Sequence, residues 1–181
     1  MATEQVKAKK NVKKQFFDVK SGLTNAKMQL YGTTIEELNG KIIKLDLTRN
    51  LRGKSLELKL RVKVENNALV GEPISLSLTG SYIRRMIRTG TDYIEDSFET
   101  ESRDGKARIK PFMITRNKVS RAIRNSIRVE AKKFLDGYAK ARTTKEIFGD
   151  IMSNKVQKEL SLKLKKVYPL ALCEIRVFEI I

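Results

Sequence analysis

From Leu56 to Glu65 the sequence reads LELKLRVKVE, an apolar residue alternating with a charged one at every step. A period of two places Leu56, Leu58, Leu60, Val62 and Val64 on one face of an extended chain. Glu57, Lys59, Arg61, Lys63 and Glu65 then occupy the other. A helix of 3.6 residues per turn would scatter both sets around its axis. The segment therefore demands a sheet with one face in a core and the other in water or on a partner. Asn66 and Asn67 supply turn chemistry, and EPISLSLTG continues as a second alternating strand through Ile74, Leu76 and Leu78.

Further strands follow the same logic. QFFDVKSG predicts a short one through Phe16, Phe17 and Val19, stopped at Gly22. Ile43, Leu45 and Leu47 alternate against Lys44 and Asp46. DSFETESRDGKARIKPFMIT predicts a hairpin around Asp104-Gly105, the strongest short turn signal in the chain. Pro111 has no N–H to give a ladder, so its strand needs an edge or a bulge there. LALCEIRVFEII closes the chain as an apolar, β-branched strand.

Helical periodicity is present in two places. In GSYIRRMIRTGTDYIEDSFE, Tyr82, Ile83, Met86 and Ile87 share one side and Arg84, Arg85 and Arg88 the other, with Ser81 as the expected N-cap. In RNKVSRAIRNSIRVEAKKFLDGYAKAR, the apolar stripe is Val119, Ala122, Ile123, Ile127, Ala131, Phe134 and Leu135, and Gly137 is the expected stop. A short helix near 147–152 and a longer one over 154–167, ended by Pro169, complete the pattern. Strands, an inserted helix, a hairpin, then helices and a last strand describe an α+β chain with a mostly antiparallel core.

Charge decides what such a fold is for. The chain has 181 residues, a formal net charge of +17 and a pI near 10.0. Residues 103–142 alone hold 13 basic and 3 acidic side chains, a balance of +10. Self-repulsion of that density calls for an anionic partner, so this is read as a binding surface. Residues 1–14 are Lys-rich without apolar pattern and are expected to be a flexible basic arm; residues 15–181 are expected to form a single α+β domain. No run approaches the roughly 20 apolar residues that span a bilayer. The opening MATEQVKAKKNVKK has no apolar signal-peptide stretch, so an intracellular, soluble protein is expected. Cys173, the one cysteine, lies in the apolar run PLALCEI and reads as a small buried hydrophobe.

Histidine is absent, which removes the usual Ser/His and Cys/His nucleophile arrangements and most zinc sites. Neither GxxxxGK[ST] nor GxGxxG occurs. The carboxylates Asp92, Glu95, Asp96, Glu99, Glu101 and Asp104 could hold Mg2+ in a nuclease, or could face water or pair with neighbouring arginines. The arginine helix is too short, and its apolar stripe too modest, for a membrane-surface helix. No catalytic site, cofactor, membrane or small-molecule substrate is therefore expected.

Three basic segments point instead to nucleic acid. Lys7, Lys9, Lys10, Lys13 and Lys14 lie in the arm. Lys106, Arg108 and Lys110 alternate along a hairpin strand. Arg116, Lys118, Arg121, Arg124, Arg128 and Lys132 run along a helix, and Arg84, Arg85 and Arg88 add a fourth cluster. This spacing suits tracking a phosphate backbone more than reading bases. Aromatic residues make up 7% and are not interleaved with the basic ones along the chain, so shape-directed binding to folded RNA is expected rather than a base-stacking platform.

The order of several segments resembles the archaeal and eukaryotic small-subunit ribosomal protein family of the S3a type. The segments are FFDVK, LNGKIIKLDLTRNL, SLELKLRVKVEN, LTGSYIRRMIRTGTDYIEDSFETESRDG, ITRNKVSRAIRNSIRVEAKK and KVYPL. The resemblance runs from about Phe16 to Ile180. This chain departs from the family in lacking its Trp before the first strand, and in having Ser21-Gly22 where Ala-Pro usually follows. The resemblance implies a β-barrel-like core with peripheral helices. It also implies a non-enzymatic, cytoplasmic component of the small subunit that supports translation. Such a component would bind small-subunit rRNA on the platform, near the mRNA exit and the rRNA 3′ end, beside neighbouring ribosomal proteins. A free-standing RNA-binding factor and a Mg2+-dependent nuclease are the alternatives.

Overall fold

The computed structural model describes residues 13–24, 26–51, 53–66 and 68–181. Lys7, Lys9 and Lys10, and most of the expected arm, lie outside the described residues. The chain divides into two compact units, Met1–Lys41 with Val62–Glu72 and Ile42–Arg61 with Pro73–Ile181.

In the first unit, β1 (Gln15–Ser21) pairs antiparallel with β2 (Met28–Gly32). It also pairs in parallel with the start of β5 (Ala68–Leu78), Val19 standing opposite Leu69. In MQLYG the adjacent Leu30 and Tyr31 break the alternation of apolar and polar residues, which is why β2 is not legible in the sequence. A single 3-10 turn, Glu36–Leu38, follows. It brings fully buried Leu38 against Gly32, where an added Cβ would come within 2.8 Å of Leu38 Cδ2. The missing side chain at position 32 permits that close approach.

In the second unit, β3 (Ile42–Asp46) pairs with the first part of β4 (Leu56–Glu65), Ile42 opposite Arg61 through to Asp46 opposite Glu57. Leu56, Leu58 and Leu60 are fully buried while Lys59 and Arg61 are exposed, as the alternation requires. The later part of β5 pairs with β9 (Leu170–Ile180), and β9 pairs with β8 (Gly105–Thr115). On its other side β8 takes β7 (Phe98–Ser102) and then β6 (Tyr93–Glu95). All of these pairings are antiparallel. The path β5–β9–β8–β6 is open, so the barrel closure expected from the resemblance is absent from the pairings of the described residues.

Pro111 sits where its missing N–H requires. The pairing with β7 ends at Ile109, that with β6 begins at Phe112, and the register with β9 shifts between Lys110 and Pro111. The missing N–H thus falls in a gap of one ladder and a bulge of the other.

Among the described residues the α-helices are α1 (Gly80–Met86), α2 (Arg121–Lys140), α3 (Thr144–Met152) and α4 (Lys155–Leu164). Phe112, Phe148 and Phe178 anchor the core between helices and sheet, with Phe148 edge-on to Phe178 at 4.8 Å. Each buried aromatic of this size contributes about 1.5–3 kcal/mol relative to exposure.

Several boundaries differ from expectation. Thr79, not Ser81, is the α1 N-cap, and Ile87 is its C-cap, 39% exposed because the helix has already ended. Val119 precedes α2 instead of joining its stripe. The same helix passes through Gly137 because Leu135 and Ala139 continue the buried stripe to its end. The helix runs three residues past Gly137 to Lys140, so it tolerates the roughly 1 kcal/mol cost of an internal glycine.

Candidate nucleic-acid interface

The basic helix is held at its start by a carboxylate. Asp92 accepts from the Val119 N–H at 2.9 Å, and the Ser120 hydroxyl accepts from Ile123 N. Thr115 ties the intervening loop down, its hydroxyl donating to the Asn117 carbonyl at 2.7 Å and accepting from Asp92 N at 3.1 Å. Exposed Arg116 and Lys118 therefore leave a loop fixed at several points. Within α2, Ile127, Ala131, Leu135 and Ala139 are buried. Arg121, Arg124 and Arg128, at spacings of three and four, then come to one face.

That face and β6 enclose a groove of about 690 Å3, lined by Tyr93 and Ile94 on one side and by Arg121, Arg124, Asn125 and Arg128 on the other. Arg128 also borders a second depression of about 650 Å3 that includes Lys110 and Arg176 together with the carboxylates Glu95 and Asp96. Helix and hairpin cations, separate in sequence, thus meet at Arg128. Lys132 lies one turn further along α2, its ammonium 5.7 Å from the centre of the Phe98 ring.

Counter-charge sorts these residues. Arg108 is on the outer face of β8, flanked by buried Ala107 and Ile109. It donates to Glu99 at 2.8 Å and to Glu179 at 3.0 Å. These hydrogen bonds, Glu99's first, raise its pKa above the ordinary arginine value. Among the described residues, no ion pair engages Arg121, Arg124, Arg128, Lys132, Lys106, Lys110, Arg116 or Lys118.

Arg84 and Arg85 on α1 and Arg88 just beyond its end are exposed, while Tyr82 and Ile83 are buried. The Arg85 guanidinium lies 5.6 Å from the Tyr82 ring centre. Burial raises the Tyr82 pKa, assisted by the nearby Glu174. Lys13 and Lys14 belong to the first unit, exposed just before β1, with the Lys14 ammonium 5.7 Å from the Tyr31 ring centre.

The acidic residues do not converge. Asp92 serves the start of α2, Glu95 accepts two hydrogen bonds at 2.9 Å from Arg176, and Glu99 holds Arg108. Asp96 accepts from Ser97 N. Among the described residues no three His, Cys, Asp or Glu side chains come together as a metal site. No described helix is long and apolar enough to cross a membrane.

Tyr93, Asn125 and Arg176 were not singled out in the sequence. Tyr93 and Arg176 lie outside any basic run, and only the pairing of β6 and β9 with β8 brings them to the arginines.

The chain is similar to several archaeal proteins. Small ribosomal subunit protein eS1 of Methanothermobacter thermautotrophicus is 27% identical over 133 residues, 70% of this chain and 68% of that protein. The protein of the same name from Nanoarchaeum equitans is 24% identical over 148 residues, 79% of this chain and 75% of its own. That from Desulfurococcus amylolyticus is 22% identical over 145 residues, 77% and 68% of the two chains. Residues 3–181 match the Ribosomal S3Ae family. With nearly every residue inside that match, the chain belongs to the Ribosomal S3Ae family.

Proposed function

We propose that the protein is a non-enzymatic structural component of the small ribosomal subunit, working in the cytoplasm. It binds small-subunit rRNA through the α2 face and supports translation from the platform, near the mRNA exit and the rRNA 3′ end. The observation that carries this reading is the row Arg121, Arg124 and Arg128 along one groove, none of them in an ion pair among the described residues. Guanidinium forks at helical spacing suit successive phosphates, and the groove gives them a wall against which an RNA backbone can lie. Lys110, Lys132 and the loop cations Arg116 and Lys118 extend the same field. Arg84, Arg85 and Arg88, with Lys13 and Lys14, are proposed as further phosphate contacts. The relatives' shared name, small ribosomal subunit protein eS1, supports the ribosomal context. Arg108, engaged by two carboxylates, is assigned a structural role.

Sucrose-gradient fractionation of a lysate tests the proposal. The protein is expected to travel with small-subunit particles and to be released by high salt. Sedimentation at the top of the gradient, together with binding to many RNAs, would identify a free-standing RNA-binding factor instead.

A further inference from the structure

The solvent face of the β1–β2 ladder carries an aromatic rung that the α2 groove does not use. Phe16 and Tyr31 stand directly opposite one another in the antiparallel register. Their ring centres are 5.0 Å apart and their planes tilted by 44°. Phe16 is 70% and Tyr31 55% exposed. The Lys14 ammonium lies 5.7 Å from the Tyr31 ring centre. On the same face, one rung along, Gln29 donates to Asp18 at 2.9 Å, an exposed polar pair. The rung is thus bordered by a cation at one end and by hydrogen-bonding groups at the other.

We propose that Phe16 and Tyr31 form a stacking platform for an unpaired RNA base, with Lys13 and Lys14 holding the adjoining phosphate. Every base has a π-face, so two open rings on neighbouring strands accept one without reading its identity. A lysine beside the rings serves the backbone that must run past a stacked base. A net charge of +17 favours a polyanion over a protein as the occupant. The polar Asp18–Gln29 rung and the small aromatic area fit a single base better than a lipid surface. The inference rests on the reading of the chain as an RNA binder and extends it from folded, phosphate-tracked RNA to an unpaired nucleotide.

The test uses the full chain and three probes: an RNA duplex, an unpaired RNA octamer and an abasic octamer of equal length. Wild type is expected to prefer the octamer with bases by about 5- to 150-fold, the range of base–aromatic stacking. The pair Phe16→Leu and Tyr31→Leu should lose that preference while duplex binding stays intact; Phe16→Trp with Tyr31→Trp should keep it. Equal binding of the two octamers by wild type, with duplex binding intact, overturns the platform and leaves the groove reading standing. Failure to bind any of the three RNAs overturns both. Retention of the preference by the leucine pair overturns stacking. Normal octamer binding with failed assembly into subunits would assign the rung to a protein partner and likewise overturn the proposal.

Discussion

Lys54 and Glu174 meet inside the second unit, the Lys54 Nζ 2.5 Å from Glu174 Oε2 and 2.7 Å from the side-chain oxygen of Asn154. Their side chains are 9% and 11% exposed. Asn154 takes this bond from a left-handed backbone position, φ 61°, which asparagine tolerates better than most residues. Gln157 bonds the Ile151 carbonyl nearby. The buried charges are therefore matched by one another and by amides from the start of α4.

Lys54→Met leaves Glu174 buried without its cation and is expected to destabilise the protein by about 3–5 kcal/mol. Replacing both, Lys54→Met with Glu174→Leu, should recover most of that loss. Denaturant unfolding of the two variants checks this; a double variant no more stable than the single one contradicts it.

Arg121→Gln, Arg124→Gln and Arg128→Gln together should lower affinity for structured RNA. The salt slope should also flatten by about 0.7–0.9 for each phosphate left without a neutralising cation. Arg108→Gln is the internal control, since Glu99 and Glu179 already engage its charge. Titrations at several salt concentrations should leave the Arg108 slope near wild type and change that of the triple variant.

The short helix makes a separate test. Arg84→Gln, Arg85→Gln and Arg88→Gln leave Tyr82 and Ile83 buried, so thermal stability should stay within about 0.5 kcal/mol of wild type, as for exposed substitutions generally. The RNA salt slope should nevertheless flatten. An unchanged slope would remove this helix from the interface.

Burial pushes the Cys173 thiol up to about 12 from its ordinary value of 9.0. The folded protein keeps a proton that the unfolded chain releases above pH 9, so this group's contribution to stability falls as pH rises from about 9 toward 12. At pH 8 the native protein should resist a thiol reagent, and denaturant should expose one reactive thiol per chain. Rapid native labelling would contradict the buried position.

Gly32→Ala would drive a methyl against Leu38 Cδ2 at 2.8 Å. Overpacking of this kind costs about 1–3 kcal/mol. Gly22→Ala, with nothing within 4 Å of its added methyl, should be near neutral. Comparison of the two melting curves decides whether the Leu38 contact is as tight as the geometry requires.

The amino-acid sequence by itself determined the strand faces of β4, the hairpin around Asp104-Gly105, an interruption of the ladder at Pro111 and the arginine row of α2. Each is a local consequence of backbone period or turn chemistry, and needs no knowledge of what lies opposite. Tertiary structure alone decided which cations are held in ion pairs and which are not. Arg108 and Arg121 look alike along the chain, but pairing of β8 with β7 and β9 brings carboxylates to one and not to the other. It also decided where aromatics meet basic residues: Phe16 and Tyr31 lie fifteen positions apart in sequence and become neighbours through strand register. Periodicity is written into adjacent residues, whereas counter-charge and stacking depend on partners that only folding brings near.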